Sequence, residues 1–106
     1  MIEQQIDALI DEELQGLNHI DATDLQCFIE HRIQPSLIEL SLDTSGKKWK
    51  SCYLLTEHNG VNDSAYRAAF DPETGHFVRE LTLADGTPHY LNRHSDLEAI
   101  IDAFAS

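Results

Sequence analysis

The sequence predicts an α+β fold: an N-terminal helical hairpin, an antiparallel sheet of about five strands, and a C-terminal helix packed on one face of the sheet. Two observations predict it. Apolar residues recur every three or four positions near both ends of the chain, whereas they alternate with polar residues in the middle. Helices and strands separated along the chain in this way are typical of α+β domains. The 106 residues suffice for one domain, which we place at residues 1–106.

The first helix is predicted over Ile2–Leu17. Its apolar residues form one stripe, which consists of Ile2, Ile6, Leu9, Ile10, Leu14 and Leu17. Glu3, Asp7 and Asp11 form an acidic row on another face, and the first 31 residues contain no Lys or Arg to pair with them. Glu13 falls within the apolar arc, which indicates either an exposed edge of that arc or a place where a partner docks.

A second helix is predicted from about Asp24 to Gln34. Thr23 and Gln26 have the spacing of a capping box at its start. Pro35 ends the helix, because the residue before a proline is disfavoured in helical geometry. The connection between the first two helices is short, which favours a helical hairpin.

Strands are predicted in the middle of the chain. Alternating apolar residues indicate one strand over Ile38–Leu42 and a longer one over Lys48–Glu57. The stretch Ser64–Asn92 contains three short strands joined by tight turns at Asp71–Gly75 and Asp85–Gly86, where proline and glycine supply the required backbone geometry. These strands are expected to form an antiparallel meander.

The last helix is predicted from a capping box at Ser95–Glu98. Its apolar residues follow at helical spacing and are Leu97, Ile100, Ile101 and Phe104. This helix would cover one face of the sheet. The other face, with Arg67, Glu80 and Thr82, would be either bare or covered by a second subunit.

The charge of the chain restricts its ligands. Nineteen Asp and Glu face seven Lys and Arg, which gives a formal net charge of −12. This balance argues against nucleic acid or an anionic membrane as a direct ligand, because both require bases that neutralise phosphate. It is compatible with a protein partner that has a basic surface, which an acidic face would attract. Solubility alone is the simpler explanation of such a charge.

The acids of the first helix are the candidate partner-binding residues. They are Glu3, Asp7, Asp11, Glu12 and Glu13. We therefore expect a small protein-binding module, of the kind found in inhibitors and immunity proteins, that occludes a basic partner surface. One alternative is a structural homodimer or a secretion-chaperone-like protein. In the homodimer, the basic cluster of Lys47, Lys48 and Lys50 would meet the acidic helix of another subunit.

Histidines suggest a second alternative, a small metal-binding protein or enzyme. His58, His76, His89 and His94 fall in neighbouring turns and strand ends, so they would form a zinc or pH-sensing site if they converge at one end of the sheet. The simpler explanation is that they are scattered over the surface. The chain contains no catalytic motif, so no catalytic residue is assigned and no cofactor is expected.

Cysteines and the N-terminus bear on location. Cys27 and Cys52 are too few for the disulfide framework of a small secreted domain. Cys27 lies four residues before His31, but two ligands are fewer than a metal site requires. No basic region followed by an apolar run begins the sequence, so no signal peptide is predicted. We therefore expect a cytoplasmic protein with reduced thiols.

Overall fold

The computed structural model describes residues 2–17, 20–43, 47–58 and 66–105 of the chain. In chain order the elements are α1 (Ile2–Gln15), α2 (Ala22–His31), β1 (Arg32–Ser41), β2 (Trp49–Thr56), β3 (Tyr66–Asp71), β4 (His76–Thr82), β5 (Pro88–His94) and α3 (Leu97–Ala105). The predicted α+β class is confirmed, as are the helices at the two ends. No helix within the described ranges is long and apolar enough to cross a membrane.

The sheet closes into a small barrel. Each strand pairs antiparallel with the next, and β1 also meets β5 in parallel where Ser41 lies opposite His89. The predicted turns lie between β3 and β4 and between β4 and β5. Gly75 and Gly86 have φ angles of 76° and 89° there, in the left-handed region that glycine adopts without strain.

Closure of the sheet gives it an inner face of its own. The inner core is built by strands alone and consists of Leu40, Cys52, Leu54, Ala69 and Val78, with Ile33, Ile38 and Tyr90 packed against them. All five strands contribute to it. The expectation of a bare or subunit-covered second face is therefore corrected, because that face is enclosed by the strands themselves.

The three helices cover the outer face of the barrel. The outer core combines buried residues of helices and strands, namely Ile6, Ile10, Phe28, Tyr53, Leu55, Ala68, Phe70, Phe77, Leu97, Ile100, Ile101 and Phe104. Burial of each large apolar side chain stabilises the fold by roughly 1.5–3 kcal/mol. The strands of the barrel are thus packed on both faces, against one another inside and against the helices outside.

The predicted helical hairpin is not shown. Helix α1 packs chiefly against β1, whereas α2 packs against α3. Phe28 and Phe104 meet edge to face with ring centroids 6.4 Å apart, and the ring of His31 lies 6.0 Å from that of Phe104. The aromatic contact therefore joins the second helix to the last one.

The helix boundaries are set by residues next to the predicted ones. Asp21 caps α2, because its carboxylate accepts hydrogen bonds from the backbone N–H groups of Thr23 and Asp24 at 2.8 and 3.2 Å. Asp96 takes the role predicted for Ser95 and accepts from the N–H of Ala99 at 2.9 Å.

Helix α2 ends before the predicted position, at His31. Strand β1 begins directly at Arg32, and Pro35 lies within the strand. The register of β1 against β2 shifts between Arg32 and Ser36, which accommodates a residue that has no N–H to donate. The proline therefore marks an irregularity in a strand and not the end of the helix.

Candidate functional site

Charge is distributed unevenly between the helices and the barrel. Residues 1–31 and 94–106, which we call the helical segments, contain eleven Asp and Glu and no Lys or Arg. Residues 32–93, which we call the barrel segment, contain eight acids and all seven bases. The excess negative charge of the chain is therefore almost entirely carried by the helical segments, and any site for a cationic ligand is best sought there.

Arg32 lies just outside the helical segments and forms ion pairs with two acids of α1. Its Nη1 donates to Asp11 Oδ1 at 2.8 Å, and its Nη2 donates to Asp7 Oδ1 at 2.8 Å and to the carbonyl oxygen of Asp7 at 3.2 Å. Among the ion pairs of the described residues, only these involve an acid on a helix. Two of the five predicted partner-binding acids thus already have a partner within the chain.

Glu13 lies at the junction of α1 and α3. Its carboxylate accepts a hydrogen bond from the backbone N–H of Leu97, the first residue of α3. Burial and the nearby Asp96 nevertheless raise its pKa above the usual range. This contact explains why an acid lies in the apolar arc of α1, and it gives Glu13 a part in holding α3.

The remaining two acids predicted on α1 face solvent to different degrees. Glu12 is exposed and Glu3 is half-buried. Neither makes an ion pair with another described residue. Of the five predicted partner-binding acids, these two therefore lack both an ion pair with a described base and the contact that Glu13 makes with α3.

A second group of acids lies where α2 meets α3. An open cleft of about 550 Å³ separates the two helices there, and it is lined by Ile20, Asp21, Asp24, Asp96, Glu98, Ala99 and Asp102. We call it the α2–α3 cleft. Loss of solvent contact, the negative charge of Asp21 and a hydrogen bond with Asp102 raise the pKa of Asp24. The carboxylates therefore lie close enough to repel one another.

The α2–α3 cleft was not predicted from the sequence. Its acids come from two segments that are more than seventy residues apart in the chain, Asp21–Asp24 and Asp96–Asp102. A signal was nevertheless present, because residues 94–106 lack Lys and Arg just as residues 1–31 do. The apolar spacing that predicts the last helix carries no information about its charge.

The four histidines are divided between two ends of the barrel. His58 contacts Thr82 at the end of β4, and His89 is paired with the neighbouring Leu81. His76 begins β4, and His94 is paired with the residue after it. The two pairs are separated by four to six residues of β4, which is roughly 13–20 Å at the usual rise per residue. Within the described ranges, no group of three or more His, Cys, Asp or Glu could hold a metal ion.

The thiols lie in unreactive surroundings. Burial, Asp71 and other neighbours raise the pKa of Cys52 to about 12. The pKa of Cys27 is also raised, by burial and then by Glu30. Its Sγ lies 4.0 Å from Nδ1 of His31, but that nitrogen is 2.8 Å from the carbonyl oxygen of Cys27 and donates to it. Both thiols are therefore protonated near neutral pH, and neither is a nucleophile.

The acids inside the barrel are paired. Lys50 contacts Asp71 at 2.7 Å, and the hydroxyl of Tyr90 lies 3.4 Å from the same carboxylate. Arg67 donates to both oxygens of Glu80 at 2.8 and 3.1 Å. Asp71 and Glu80 are completely buried. Lys50 thus belongs to the interior, which leaves two exposed lysines of the predicted basic cluster.

Comparison of the chain with protein-family models, with curated proteins and with solved structures finds no match. The surface of the helical segments is therefore interpreted from its own chemistry.

Proposed function

We propose that this chain is a small protein-binding module that covers a basic surface of another protein with its helical segments. The observation that carries the proposal is the separation of charge: eleven acids and no Lys or Arg in the helical segments, against eight acids and seven bases in the barrel segment. A surface of one sign raises the rate at which an oppositely charged partner arrives and disfavours partners of the same sign.

The α2–α3 cleft is the part of this surface best suited to a basic side chain. Four of its carboxylates have no base among the described residues within ion-pairing distance, namely those of Asp21, Asp24, Asp96 and Glu98. The raised pKa of Asp24 indicates that its negative charge lacks compensation there. A Lys or Arg side chain placed in the cleft would relieve this repulsion.

The experiment compares two variants that each lose three negative charges. The cleft variant carries Asp21→Asn, Asp24→Asn and Asp102→Asn, in which asparagine retains the capping ability of residue 21. The control variant carries Glu57→Gln, Glu73→Gln and Asp85→Asn, three exposed acids of the barrel segment. Wild type and both variants are immobilised and exposed to host lysate at about 50 mM and about 500 mM salt, which spans weak and strong screening.

Support requires one defined host protein with a basic surface. It should be retained by the wild type and by the control variant at low salt, and it should be lost at high salt and from the cleft variant. Retention by the cleft variant equal to that of the wild type, or retention insensitive to salt, contradicts the proposal.

A second proposal is self-association, which exposed apolar residues favour. On the outer face of the barrel Leu37 is 62% exposed and Trp49 is 45% exposed. Both lie on the β1–β2 hairpin, where a second copy could cover them. Analytical ultracentrifugation tests this: a homodimer should weaken in a Leu37→Ser variant, and a monomeric wild type at high concentration contradicts it.

We also propose that the protein acts in the cytoplasm with reduced thiols. Cys27 and Cys52 are both free, which supports this assignment. Thiol labelling of protein unfolded directly from host cells should modify both residues. Recovery of either as a disulfide contradicts the assignment.

A further inference from the structure

The contact between α1 and Arg32 has the chemistry of a ligand site. Asp7 and Asp11 lie one helical turn apart on α1, so their carboxylates project side by side. The guanidinium of Arg32 bridges them, with one nitrogen 2.8 Å from each carboxylate. Two adjacent carboxylates that bind a planar cation through separate nitrogens form a receptor for the guanidinium group.

This site is open to solvent. The side chains of Asp7 and Asp11 are 42% and 59% exposed, whereas that of Arg32 is 19% exposed. Arg32 binds the Oδ1 atom of each carboxylate, so the Oδ2 atoms are not used by it. An incoming cation can therefore contact the Oδ2 atoms from the solvent side before it displaces Arg32.

An apolar surface adjoins the two carboxylates. They line an open cleft together with Ile29, Arg32, Ile33 and Gln34. Ile29 is 48% exposed, so its apolar side chain is accessible beside the carboxylates. The methylene stem of an arginine side chain would pack on such a surface while its guanidinium reaches the carboxylates.

We propose that Asp7 and Asp11 form a guanidinium-binding site whose internal occupant is Arg32, and that an arginine of a basic partner competes with Arg32 for it. The class of ligand is arginine and not lysine, because a planar fork bridges two carboxylates whereas an ammonium group is a point charge. The identity of the competitor as a partner residue rests on the function proposed above. The site itself rests on the geometry of Arg32.

The competition has a consequence for the fold. Arg32 joins α1 to the junction of α2 and β1, and the other described anchors of α1 include Ile6 and Ile10 in the outer core. An arginine that displaces Arg32 would keep the carboxylates neutralised but would loosen this join. The internal contact therefore holds α1 in place until a partner takes the site.

Chemical rescue tests the site directly. An Arg32→Ala variant leaves the two carboxylates without their cation, and ethylguanidinium chloride at about 20 mM serves as the probe, with sodium chloride at equal ionic strength as the reference. The matched control is Arg32→Ala combined with Asp7→Asn and Asp11→Asn. We expect ethylguanidinium to raise the thermal midpoint of Arg32→Ala by about 2–5 °C relative to sodium chloride.

The wild type and the matched control should show no such rise, because one has the site filled and the other lacks it. Equal responses of Arg32→Ala and the matched control overturn the inference. Should Arg32→Ala fail to fold, Arg32→Lys keeps a charge without the fork, and titration with the same probe should shift the α1 amide resonances of that variant more than those of the wild type. An equal shift in both overturns the inference in that case.

Failure of this inference is distinguishable from failure of the proposed function. Absence of rescue removes the guanidinium site but leaves retention of a partner by the α2–α3 cleft untouched. Loss of partner retention removes the proposed function, while rescue of Arg32→Ala by the probe would stand.

Discussion

The helical segments and the barrel segment both contain many acids, but the acids have different surroundings. In the barrel, Asp71 and Glu80 are completely buried, and each is paired with a base on a neighbouring strand. In the helical segments, Asp21, Asp24, Asp96 and Glu98 line an open cleft, and none of these four is ion-paired with another described residue. Acids of the barrel interior are therefore stabilised by bases, whereas acids of the helical segments either cap a helix, as Asp21 and Asp96 do, or face solvent.

Removal of a base from the barrel should have the largest effect on the free energy of unfolding. Arg67→Ala leaves the buried Glu80 carboxylate without its cation, which should lower the free energy of unfolding by about 3–5 kcal/mol. Urea unfolding measures this loss. The matched control, Arg93→Ala at an exposed position, should change it by less than about 0.5 kcal/mol.

The same pair can be replaced by apolar residues. Arg67→Met combined with Glu80→Leu should recover most of the stability lost in Arg67→Ala, because no unpaired charge remains buried. If Arg67→Ala and Arg93→Ala lower the free energy of unfolding by the same amount, Glu80 is not a buried ion that depends on Arg67.

Removal of Arg32, which pairs with two acids of α1, should have an intermediate effect on the free energy of unfolding. Arg32→Ala breaks two partly exposed ion pairs, each of which contributes roughly 0.2–1 kcal/mol, so we expect a loss of about 1 kcal/mol in the free energy of unfolding. Thermal unfolding at low salt measures it. The loss should shrink at high salt, and a loss as large as that of Arg67→Ala would mean that α1 depends on this contact far more than its exposure indicates.

Removal of charge from the α2–α3 cleft should have the opposite sign. Asp24→Asn and Asp102→Asn together relieve repulsion between like charges, so the free energy of unfolding should stay constant or rise by up to about 0.5 kcal/mol. Equilibrium urea unfolding at low salt is the measurement, with Glu57→Gln as the control at an exposed barrel position. A clear destabilisation would show that these acids serve the fold.

The contributions of the two regions to stability should also change with pH in opposite directions. The raised pKa values of Asp24 and Glu13 mean that the folded state binds protons more readily than the unfolded state, so mild acidification from neutral pH towards about 4 should stabilise the fold. For Asp71, burial would raise the pKa, but hydrogen bonds from Lys50 and the N–H of Glu73 outweigh it and lower the pKa. Its contribution is present above about pH 4 and is lost as pH falls through the lowered value.

Unfolding by urea as a function of pH tests this prediction. The wild type should gain slightly on mild acidification and lose stability below about pH 4. A variant with Glu13→Gln and Asp24→Asn should lack the gain but keep the loss. A gain of the same size in this variant would assign the effect to other groups.

Local sequence patterns predict the helices, strands and turns more accurately than they predict which of these elements pack together. The last helix and the turns at Gly75 and Gly86 follow from capping residues and from backbone geometry, which act over a few positions. The helical hairpin failed because a short connection does not determine which neighbour a helix packs against. Phe28 contacts Phe104, which lies near the C-terminal end of the sequence, and no apolar periodicity reveals that contact.

Barrel closure and the candidate surface depend on the same kind of long-range geometry. Closure brings Ser41 opposite His89, and the pairing of β4 with β5 places His89 and His94 towards opposite ends of β4. The acidic row on α1 is evident in the sequence. Its neutralisation by Arg32 is not, because Arg32 directly follows the base-free residues 1–31 and reaches Asp7 and Asp11 only in the folded chain. Residues 59–65, which include the first two residues of the predicted Ser64–Asn92 stretch, lie outside the described part of the chain.

The association rate between the chain and its captured partner tests the central proposal most directly. At about 50 mM salt the wild type and the barrel control variant should associate roughly ten-fold faster than at about 500 mM, because screening weakens long-range attraction. The cleft variant should associate more slowly at low salt and depend less on it. If all three proteins associate at one rate with one salt dependence, the α2–α3 cleft does not bind the partner, and the proposed function is contradicted.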